Sequence, residues 1–482
     1  MLKKNDVIEL EIQSITSEGS GVGRYEGMAV FVPGSAPGDR LMARVVKALS
    51  SYCYGIIQEI VQPGPGRIEP ACPVCHRCGG CSLQQLSYPA ELAEKERWVA
   101  DALSRIGGIS PPVRPILPSP SFSGYRNKAQ YPIGMGKNGA CCGFYAPRSH
   151  TLVPFENCLL QPPFFGDIAR AVCRYIDRSG GEPYNEKSGT GLFRHLYLRW
   201  GEATGQVMVC LVAGGERLPQ PQLLVSTVLA ACPAVTSILV NTNTKNTNVI
   251  LGEETRVLFG TPSIRDVLAG VEVEISPLSF YQVNRQGAEL LYRQAAELAD
   301  LGPEDILLDL YCGAGTIGLS MAHRVKELVG VEIVESAVRD AEKNAERNGV
   351  QNARFLRADA GTAAAQLEAE GLRPSVVVMD PPRKGCDAAT LAAVIRMGPR
   401  RVVMVSCNPA TMARDLKALG EAGYRVETVQ PVDMFPRTAH VEAVCLLSKL
   451  NTAQHIEISL DMSEMDLTAA EKKASYEEIK EY

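Results

Sequence analysis

The chain has 482 residues, of which 45% are hydrophobic and 21% charged, the balance of a globular protein of two to four domains. Its formal charge of −5 falls on residues 451–482, where eight acids stand against three basic residues; the body is neutral, so a polyanion would have to bind local basic patches. We find no membrane-length apolar run and no signal peptide, and therefore expect a cytoplasmic protein whose fifteen cysteines serve metal binding or catalysis instead of disulfides.

Residues 1–66 are expected to form a small β-barrel. The segment Val7–Gln13 alternates apolar and polar residues as a strand does, and three glycines within five residues mark a turn region after it. Further strand-like segments follow, separated by Pro-Gly turns. Five short strands of this kind suit an OB-like barrel, a common RNA-binding scaffold. The pattern leaves a merely structural barrel equally open.

A dense run of cysteines follows the barrel. The run consists of Cys72, Cys75, Cys78 and Cys81, at three-residue spacing. Such a run can wrap an iron–sulfur cluster or a zinc ion, and the spacing leaves the metal open. Two glycines between the last two cysteines let the backbone fold tightly around a cluster. We regard the neighbouring His76 as a bystander.

The middle of the chain is predicted to be rich in strands. An amphipathic helix from Tyr88 to about Ile106 precedes it, and residues 125–270 then contain several β-branched segments typical of a mostly antiparallel domain. Five residues in this region are candidates for a basic face towards RNA, with solvated surface charges as the alternative: Arg126, Lys128, Arg194, His195 and Arg199.

From about residue 276, strands alternate with helices, which predicts a parallel, doubly wound sheet of the Rossmann-like type. The first strand is Ile306–Leu310, and later strands are expected near residues 327–332, 375–380 and 401–405. We expect the acidic tail to form a solvated helix over 467–482. The whole chain thus divides into a barrel at 1–66, a central domain at 67–275, a C-terminal α/β domain at 276–450 and a tail at 451–482.

A glycine loop at 313–318, with the pattern G-x-G-x-x-G, opens a helix after the first strand and matches the dinucleotide fingerprint. Asp309 before the loop and Asp380 at a neighbouring strand end would oppose a pyrophosphate there. S-adenosylmethionine suits these acids better than NAD, because it carries a sulfonium cation, an amino group and a ribose diol but no phosphate. We expect the neighbourhood of Asp309 to meet its amino-acid end, Glu332 its ribose and Asp359 its adenine.

Cys407 ends a run of apolar, β-branched residues at 402–406. Pro409 biases Asn408 away from helical backbone, so the thiol is expected on a tight turn at the carboxyl end of a strand. In an open α/β sheet that edge binds ligands. A buried structural cysteine is the alternative for an isolated thiol.

Candidate bases lie in the segment 433–442. Alternation places His440 and Glu442 on one face of an extended segment, and His440 is equally compatible with an orienting or core role. A thiol, a base and a methyl donor are what methylation of carbon 5 of uracil requires, because a thiolate added to carbon 6 makes carbon 5 nucleophilic. Arg383, in the stiff turn Asp380–Gly385, is a candidate contact to phosphate or to an oxygen that gains charge.

Together these motifs resemble the RNA 5-methyluridine methyltransferases, and most of all the iron–sulfur branch that modifies uracils in bacterial 23S ribosomal RNA. The motifs are C-x5-C-G-G-C with a distant cysteine, F-Y-Q-V-N, D-L-Y-C-G-A-G-T, D-P-P-R-K-G, S-C-N-P and H-V-E. The resemblance covers about residues 5–450, and the N-terminal barrel resembles the TRAM RNA-binding domain.

The resemblance implies roles for individual residues. Cys407 would be the nucleophile and Glu442 the base that removes the proton from carbon 5. The ligands of a [4Fe–4S] cluster would be Cys72, Cys78, Cys81 and Cys158. The S-adenosylmethionine site would be lined by Gln282, Tyr311, Thr316, Glu332, Asp359 and Asp380. Cys75 is an extra thiol inside the cluster loop, which leaves the choice of four ligands open.

These implications make the protein a monomeric 23S rRNA (uracil-C5)-methyltransferase, with transfer RNA as the alternative substrate. An RNA cytosine-C5 methyltransferase would place a cysteine directly after the proline of the D-P-P turn, where this chain has none. An adenine N6 methyltransferase would leave Cys407 and Glu442 without a task. A target uracil must leave its stack to reach a recessed thiol, so we expect single-stranded loops to be preferred.

Overall fold

The computed structural model describes residues 2–186 and 188–450. Up to Lys449 these residues belong to one unit, which contains a barrel, a central sheet and a C-terminal sheet. No helix in the described ranges is long and apolar enough to cross a membrane. The helix predicted for residues 467–482 lies outside the described residues.

The N-terminal strands close into a five-stranded barrel of order β1-β2-β3-β5-β4, which confirms the predicted OB-like architecture. The strands are β1 (Val7–Ile15), β2 (Ser20–Tyr25), β3 (Met28–Pro33), β4 (Arg40–Ala48) and β5 (Tyr52–Gln62). Alternate residues of a strand face opposite sides, so Ile8, Leu10 and Ile12 of β1 are buried inside the barrel while Glu9 and Glu11 are exposed.

The cysteine run lies in an irregular segment between the barrel and the first helix. Arg67 ties this segment to the barrel through Asp39, with 2.7 Å between Nη2 and Oδ2. Helix α1 (Tyr88–Ala102) begins after Ser87 and continues into a single π-helical turn, residues Leu103–Gly107. Trp98 of α1 donates a hydrogen bond from Nε1 to the Ile15 carbonyl at 2.7 Å. The helix therefore packs directly against the barrel.

The central domain is a seven-stranded sheet of order β12-β11-β10-β9-β6-β7-β8. Its elements are β6 (Lys128–Gly136), β7 (Gly139–Tyr145), β8 (Leu152–Pro154), α2 (Pro163–Ser179), β9 (Phe193–Trp200), β10 (Val207–Ala213), α3 (Pro221–Ala231), β11 (Val235–Thr242) and β12 (Glu254–Gly260). Only β10 and β11 pair in parallel among these described strands. A hairpin, β13 (Ile264–Leu268) and β14 (Val271–Ile275), leads into the C-terminal domain.

The C-terminal domain is a second seven-stranded sheet, of order β17-β16-β15-β18-β19-β21-β20. Its elements are α4 (Arg285–Ala299), β15 (Ile306–Leu310), α5 (Thr316–Met321), β16 (Glu327–Glu332), α6 (Glu335–Arg347), β17 (Ala353–Arg357), α7 (Ala360–Ala369), β18 (Val376–Met379), α8 (Ala388–Met397), β19 (Arg401–Ser406), α9 (Pro409–Glu421), β20 (Tyr424–Val432) and β21 (Glu442–Lys449). Strands β15 to β19 are parallel, and β21 runs antiparallel to both neighbours.

The strand order reverses between β15 and β18, and such a reversal opens a crevice at the carboxyl edge of an α/β sheet. Leu310 pairs with Met379 in that register, which brings the next residues, Tyr311 and Asp380, side by side. The fold thus places the glycine loop, the D-P-P turn and the turn after β19 at one edge.

Candidate active site

A narrow cavity lies at the carboxyl ends of β15 and β18. Its lining includes Gln282, Tyr311, Thr316 and Asp380, four of the six residues predicted for the methyl-donor site. They come from three places in the chain: the F-Y-Q-V-N segment, the glycine loop with the start of α5, and the D-P-P turn. The fold therefore brings distant motifs together around one space.

The glycine loop beside this cavity has an unusual backbone. Gly313 and Gly315 have φ angles of +55° and +79°, and Tyr311, which is not a glycine, has a φ of +64°. Such a conformation is strained for a tyrosine and is typically kept at functional sites. Glu332 is the fifth of the residues predicted to bind the methyl donor. It accepts hydrogen bonds from the backbone N–H groups of Gly313 at 3.1 Å and Val334 at 2.8 Å.

Two other acids, Asp309 and Asp359, are not among the residues that line the cavity. Asp309 is 1% exposed and lies beneath the loop, where its Oδ2 accepts a hydrogen bond from the Gly318 N–H at 2.9 Å. Burial raises the pKa of Asp309 to about 7. The hydrogen bond from Gly318 opposes this shift, and the charges of Asp380 and Glu332 add to it. Asp359 caps α7 by accepting a hydrogen bond from the Thr362 N–H at 2.9 Å. It is not among the residues that line the cavity, so its contact with adenine stays a prediction.

Tyr292 belongs to this site, although no pattern in the sequence indicated it. Tyr292 lies on α4 and lines the cavity. Its hydroxyl is 2.9 Å from the hydroxyl of Thr316 and also hydrogen-bonds to the side chain of Gln282. In the sequence it is one more apolar position on an amphipathic helix, and only packing reveals its hydroxyl at the donor site.

Cys407 follows the last residue of β19, on the turn predicted for it. Ser406 pairs with Ala443 in the antiparallel register of β19 and β21, so the next position brings Cys407 opposite Glu442. Asn408 then caps α9, its side chain accepting a hydrogen bond from the Ala410 N–H at 3.1 Å. The thiol and the carboxylate, 35 positions apart in the chain, thus become cross-strand neighbours.

The charge of Asp380 affects the pKa of both groups, Cys407 and Glu442. Burial raises the pKa of Cys407 to about 11, with Glu442 and Asp380 adding to it and Arg383 opposing it. Burial, again helped by Asp380 and opposed by Arg383, raises the pKa of Glu442 to about 8. Burial raises the pKa of Asp380 to about 7. A cation bound beside these carboxylates would favour their ionised forms.

The D-P-P turn is fastened to the cysteine turn through the carbonyl of Arg383. That carbonyl accepts hydrogen bonds from the Asn408 amide at 3.0 Å and the Thr411 hydroxyl at 3.3 Å. The Arg383 guanidinium lies 3.5 Å from Nε2 of His440. Burial and this cation lower the pKa of His440, so the imidazole is neutral at neutral pH. Arg383 is thereby held next to Cys407 and Glu442.

A groove of about 890 Å³ leads to Cys407 from outside. The barrel, α1 and the C-terminal domain all contribute walls, and its lining includes Thr16, Arg24, Arg105, Arg383 and His440. Four arginines and two acids line it in all, and the arginines suit phosphate contacts. The groove connects the barrel surface with the thiol.

The cysteine run is folded against a more distant cysteine. Burial raises the pKa of Cys81 to about 12 and that of Cys158 to about 11. Cys158 adds to the raised pKa of Cys81, and Cys78 and Cys72 add to that of Cys158. Cys75 interacts with Cys72 instead. The four predicted ligands therefore lie in one neighbourhood, with Cys75 at its side.

Among the described residues, cysteine, histidine and acidic side chains form no group of three that could hold a metal ion. A metal or cluster at these cysteines therefore stays a proposal. Arg126 lies beside Cys81 and Cys158, where its positive charge would offset an anionic cluster.

Two of the five residues that we considered for a basic face in the central domain are buried, so they are not surface residues. Arg194 and Arg199 are 7% and 2% exposed. Arg194 donates to the carbonyls of Asn243 and Lys245, and Arg199 donates to the carbonyl of Ser279. These guanidinium groups hold loops in place because they satisfy backbone carbonyls, so they are neither an open RNA surface nor solvated charges.

Comparisons with known proteins agree with this geometry. Residues 271–450 match the family tRNA (Uracil-5-)-methyltransferase, and residues 2–57 match the TRAM domain. An uncharacterised RNA methyltransferase of Halalkalibacterium halodurans is 44% identical, covering 93% of this chain and 98% of its own. One of Listeria innocua is 42% identical, with 93% and 99% covered.

One solved structure is similar over nearly the whole chain. It is the tRNA (uracil-54, C5)-methyltransferase of Pyrococcus abyssi in complex with S-adenosyl-L-homocysteine, with a TM-score of 0.74 and 29% identity. The match covers 91% of this chain and 100% of that one. The chain therefore belongs to the RNA methyltransferases, in the uracil-5-methyltransferase family that carries a TRAM domain.

Proposed function

We propose that the protein methylates carbon 5 of a uracil in RNA, with S-adenosylmethionine as donor, Cys407 as nucleophile and Glu442 as base. The observation that carries this proposal is the cross-strand placement of Cys407 and Glu442, next to the cavity that Asp380 shares with the glycine loop. A redox or purely RNA-binding protein would have no use for that arrangement.

The donor, when bound, supplies an electrophilic methyl group on a sulfonium. Gln282, Tyr311, Thr316, Glu332 and Asp380 are the residues that we propose to hold it, with Asp359 at the adenine edge. Three carboxylates near the glycine loop, Asp309 among them, suit a cation and a ribose diol and disfavour a phosphate. The complex of the Pyrococcus relative with S-adenosyl-L-homocysteine supports this choice.

The first step forms a bond between the Cys407 sulfur and carbon 6 of the ring. Because the pKa of Cys407 is raised to about 11, the thiol must lose its proton as substrates enter. Arg383 favours the thiolate by its charge. Carbon 5 of the ring would then form a bond to the donor's methyl group, and the bond between that methyl group and the donor's sulfonium sulfur would break.

The second step restores the ring. Glu442 takes the proton from carbon 5, the double bond between carbons 5 and 6 re-forms, and the bond from carbon 6 to Cys407 breaks. The carboxylate must be ionised to do this, and a positioned base of this kind contributes about 10²- to 10⁴-fold to the rate. A pKa near 8 matches proton transfer close to neutral pH.

The assignment is tested with RNA in which 5-fluorouracil replaces uracil, because fluorine at carbon 5 cannot leave as a proton does. Wild-type protein with donor should form a covalent adduct that survives denaturation, and Cys407→Ala should form none. Cys386→Ala is the matched control, since that thiol is buried near the same turn at 6% exposure. An adduct with Cys407→Ala would refute the nucleophile.

The substrate that we propose is 23S ribosomal RNA, because the cysteine run resembles that of the ribosomal iron–sulfur branch. Transfer RNA is the alternative, since the Pyrococcus relative is by its title a tRNA enzyme. Burial of Cys386, whose backbone N–H donates to Asp415 at 2.8 Å, argues against a second nucleophile of the cytosine-C5 type. Mapping the 5-methyluridines lost from both RNAs on gene deletion decides between them.

We further propose that Cys72, Cys78, Cys81 and Cys158 hold a [4Fe–4S] cluster, which would stabilise this loop and take no part in methyl transfer. Anaerobically purified protein should contain about four irons and four sulfides. Cys75→Ser should keep them and Cys81→Ser should lose them. Zinc in place of iron, or loss of iron with Cys75→Ser, would contradict the proposed ligands.

A further inference from the structure

The segment from Asp433 to Val441 lies between β20 and the proposed base, Glu442. It contains neither helix nor strand, and Arg437 within it has a φ of +68°. A non-glycine residue in that region is held there by its surroundings. The position of Glu442 therefore depends on contacts that this segment makes with other parts of the protein.

One group of contacts comes from helix α1. The Arg437 N–H donates to Oε1 of Glu91 at 2.7 Å. Nζ of Lys95 bridges Glu91 and Asp433, at 2.7 Å from each carboxylate, and also reaches the Phe435 carbonyl at 3.1 Å. These contacts anchor the first half of the segment, which precedes Glu442 by five or more residues in the chain.

The second half is held by the end of the cysteine run. The N–H groups of Ser82 and Leu83 both donate to the Arg437 carbonyl, at 3.1 and 3.2 Å. The Ala439 N–H donates to Oγ of Ser82 at 3.1 Å. The barrel closes the other side, since a Cβ on Gly19 would lie 2.7 Å from Cβ of Ser82 and 3.6 Å from Cβ of Ala439. Ser82 thus stands where three domains meet, and Ala439 is three residues from Glu442.

We infer that Ser82 is a positioning residue for Glu442, acting on proton removal from carbon 5 and not on thiol addition. The reason is that the hydrogen bonds described for Ser82 run to Arg437 and Ala439, in the segment before Glu442. The nucleophile's turn is held separately, by the Asn408 and Thr411 bonds to the Arg383 carbonyl. This inference rests on the proposed function, because it assumes the roles of Cys407 and Glu442.

The test follows one turnover on natural uracil RNA and separates methyl transfer from release. With Ser82→Ala, methyl transfer to RNA should stay within about threefold of the wild-type rate. Release of methylated RNA should slow at least tenfold, so that a covalent protein–RNA adduct carrying the methyl group accumulates. Glu442→Gln should show the same adduct more strongly, and Ser82→Thr, which keeps the hydroxyl, should release normally.

Ser87→Ala is the matched control, because the Ser87 side chain makes no capping hydrogen bond at the start of α1. It should behave as wild type, and thermal unfolding should show all variants folded. If Ser82→Ala slows transfer and release equally, or releases product at the wild-type rate while Glu442→Gln accumulates adduct, the inference is wrong. If wild-type protein methylates no uracil, the proposed function itself fails.

Discussion

Arg383→Gln should shift the pH dependence of RNA release to higher pH. In the proposed mechanism, release of methylated RNA requires ionised Glu442, whose pKa near 8 makes the wild-type release rate rise as pH increases through 8. Arg383 lowers that pKa, and lowers the pKa of Cys407 as well. Removing its charge while keeping a polar side chain therefore raises both pKa values, and the acid limb of the profile moves towards alkali.

The size of the shift follows from the charge and its exposure. Two unit charges about 6 Å apart interact by about 3 kcal/mol at an effective dielectric constant of about 20. Arg383 is exposed, so solvent and salt leave roughly half of that, or about one pKa unit. At pH 7 the ionised fraction of Glu442 then falls from about a tenth to about a hundredth. The rate should drop about tenfold at pH 7 and less than twofold at pH 9.5.

The assay is single-turnover release of methylated RNA at saturating RNA and donor, from pH 6 to 10. Lys384→Gln is the matched control, because Lys384 is the neighbouring exposed cation and does not act on the pKa of Glu442. Its profile should overlay that of the wild type. A uniform loss of rate at every pH with Arg383→Gln would refute the electrostatic argument and make Arg383 an RNA contact instead.

Two further variants test the cavity proposed for the methyl donor and the contacts that hold the segment from Asp433 to Val441. Tyr292→Phe removes the hydroxyl that bonds to Thr316; calorimetric titration should show binding of S-adenosylhomocysteine weakened roughly 3- to 10-fold, the worth of one hydrogen bond, with RNA affinity unchanged. Lys95→Met removes the buried cation between Glu91 and Asp433; Glu91 keeps an ion pair with Arg437 at 3.4 Å, but Asp433 loses its cation. Denaturant unfolding should show a loss of about 3–5 kcal/mol in stability.

Each of these has its own control. Tyr424→Phe removes a buried hydroxyl that bonds to the Pro399 carbonyl, away from the cavity, and should leave donor binding unchanged; an equal loss there would contradict a specific role for Tyr292. Lys384→Met removes an exposed lysine and should change stability by less than about 0.5 kcal/mol. If Lys95→Met is equally harmless, the buried lysine does not support the segment before Glu442.

Local pattern was sufficient for the elements of the fold that depend on near neighbours in the chain. The alternation in β1 predicted a barrel strand, and the structure confirms the five-stranded barrel. The glycine loop after β15 and the Asn-Pro step after Cys407 predicted turns at strand ends, because backbone conformation is governed by adjacent residues. The cysteine spacing indicated a metal loop for the same reason, and its cluster stays a proposal.

What the sequence determined by itself, then, was which motifs exist and which turns and strands present them. Only the tertiary structure decided that Cys407 lies next to Glu442 and that Tyr292 lines the cavity. It also decided that Ser82 contacts the segment before Glu442 and that Arg199 is buried. These facts join residues tens to hundreds of positions apart. They depend on sheet register and packing, which periodicity along one segment does not specify.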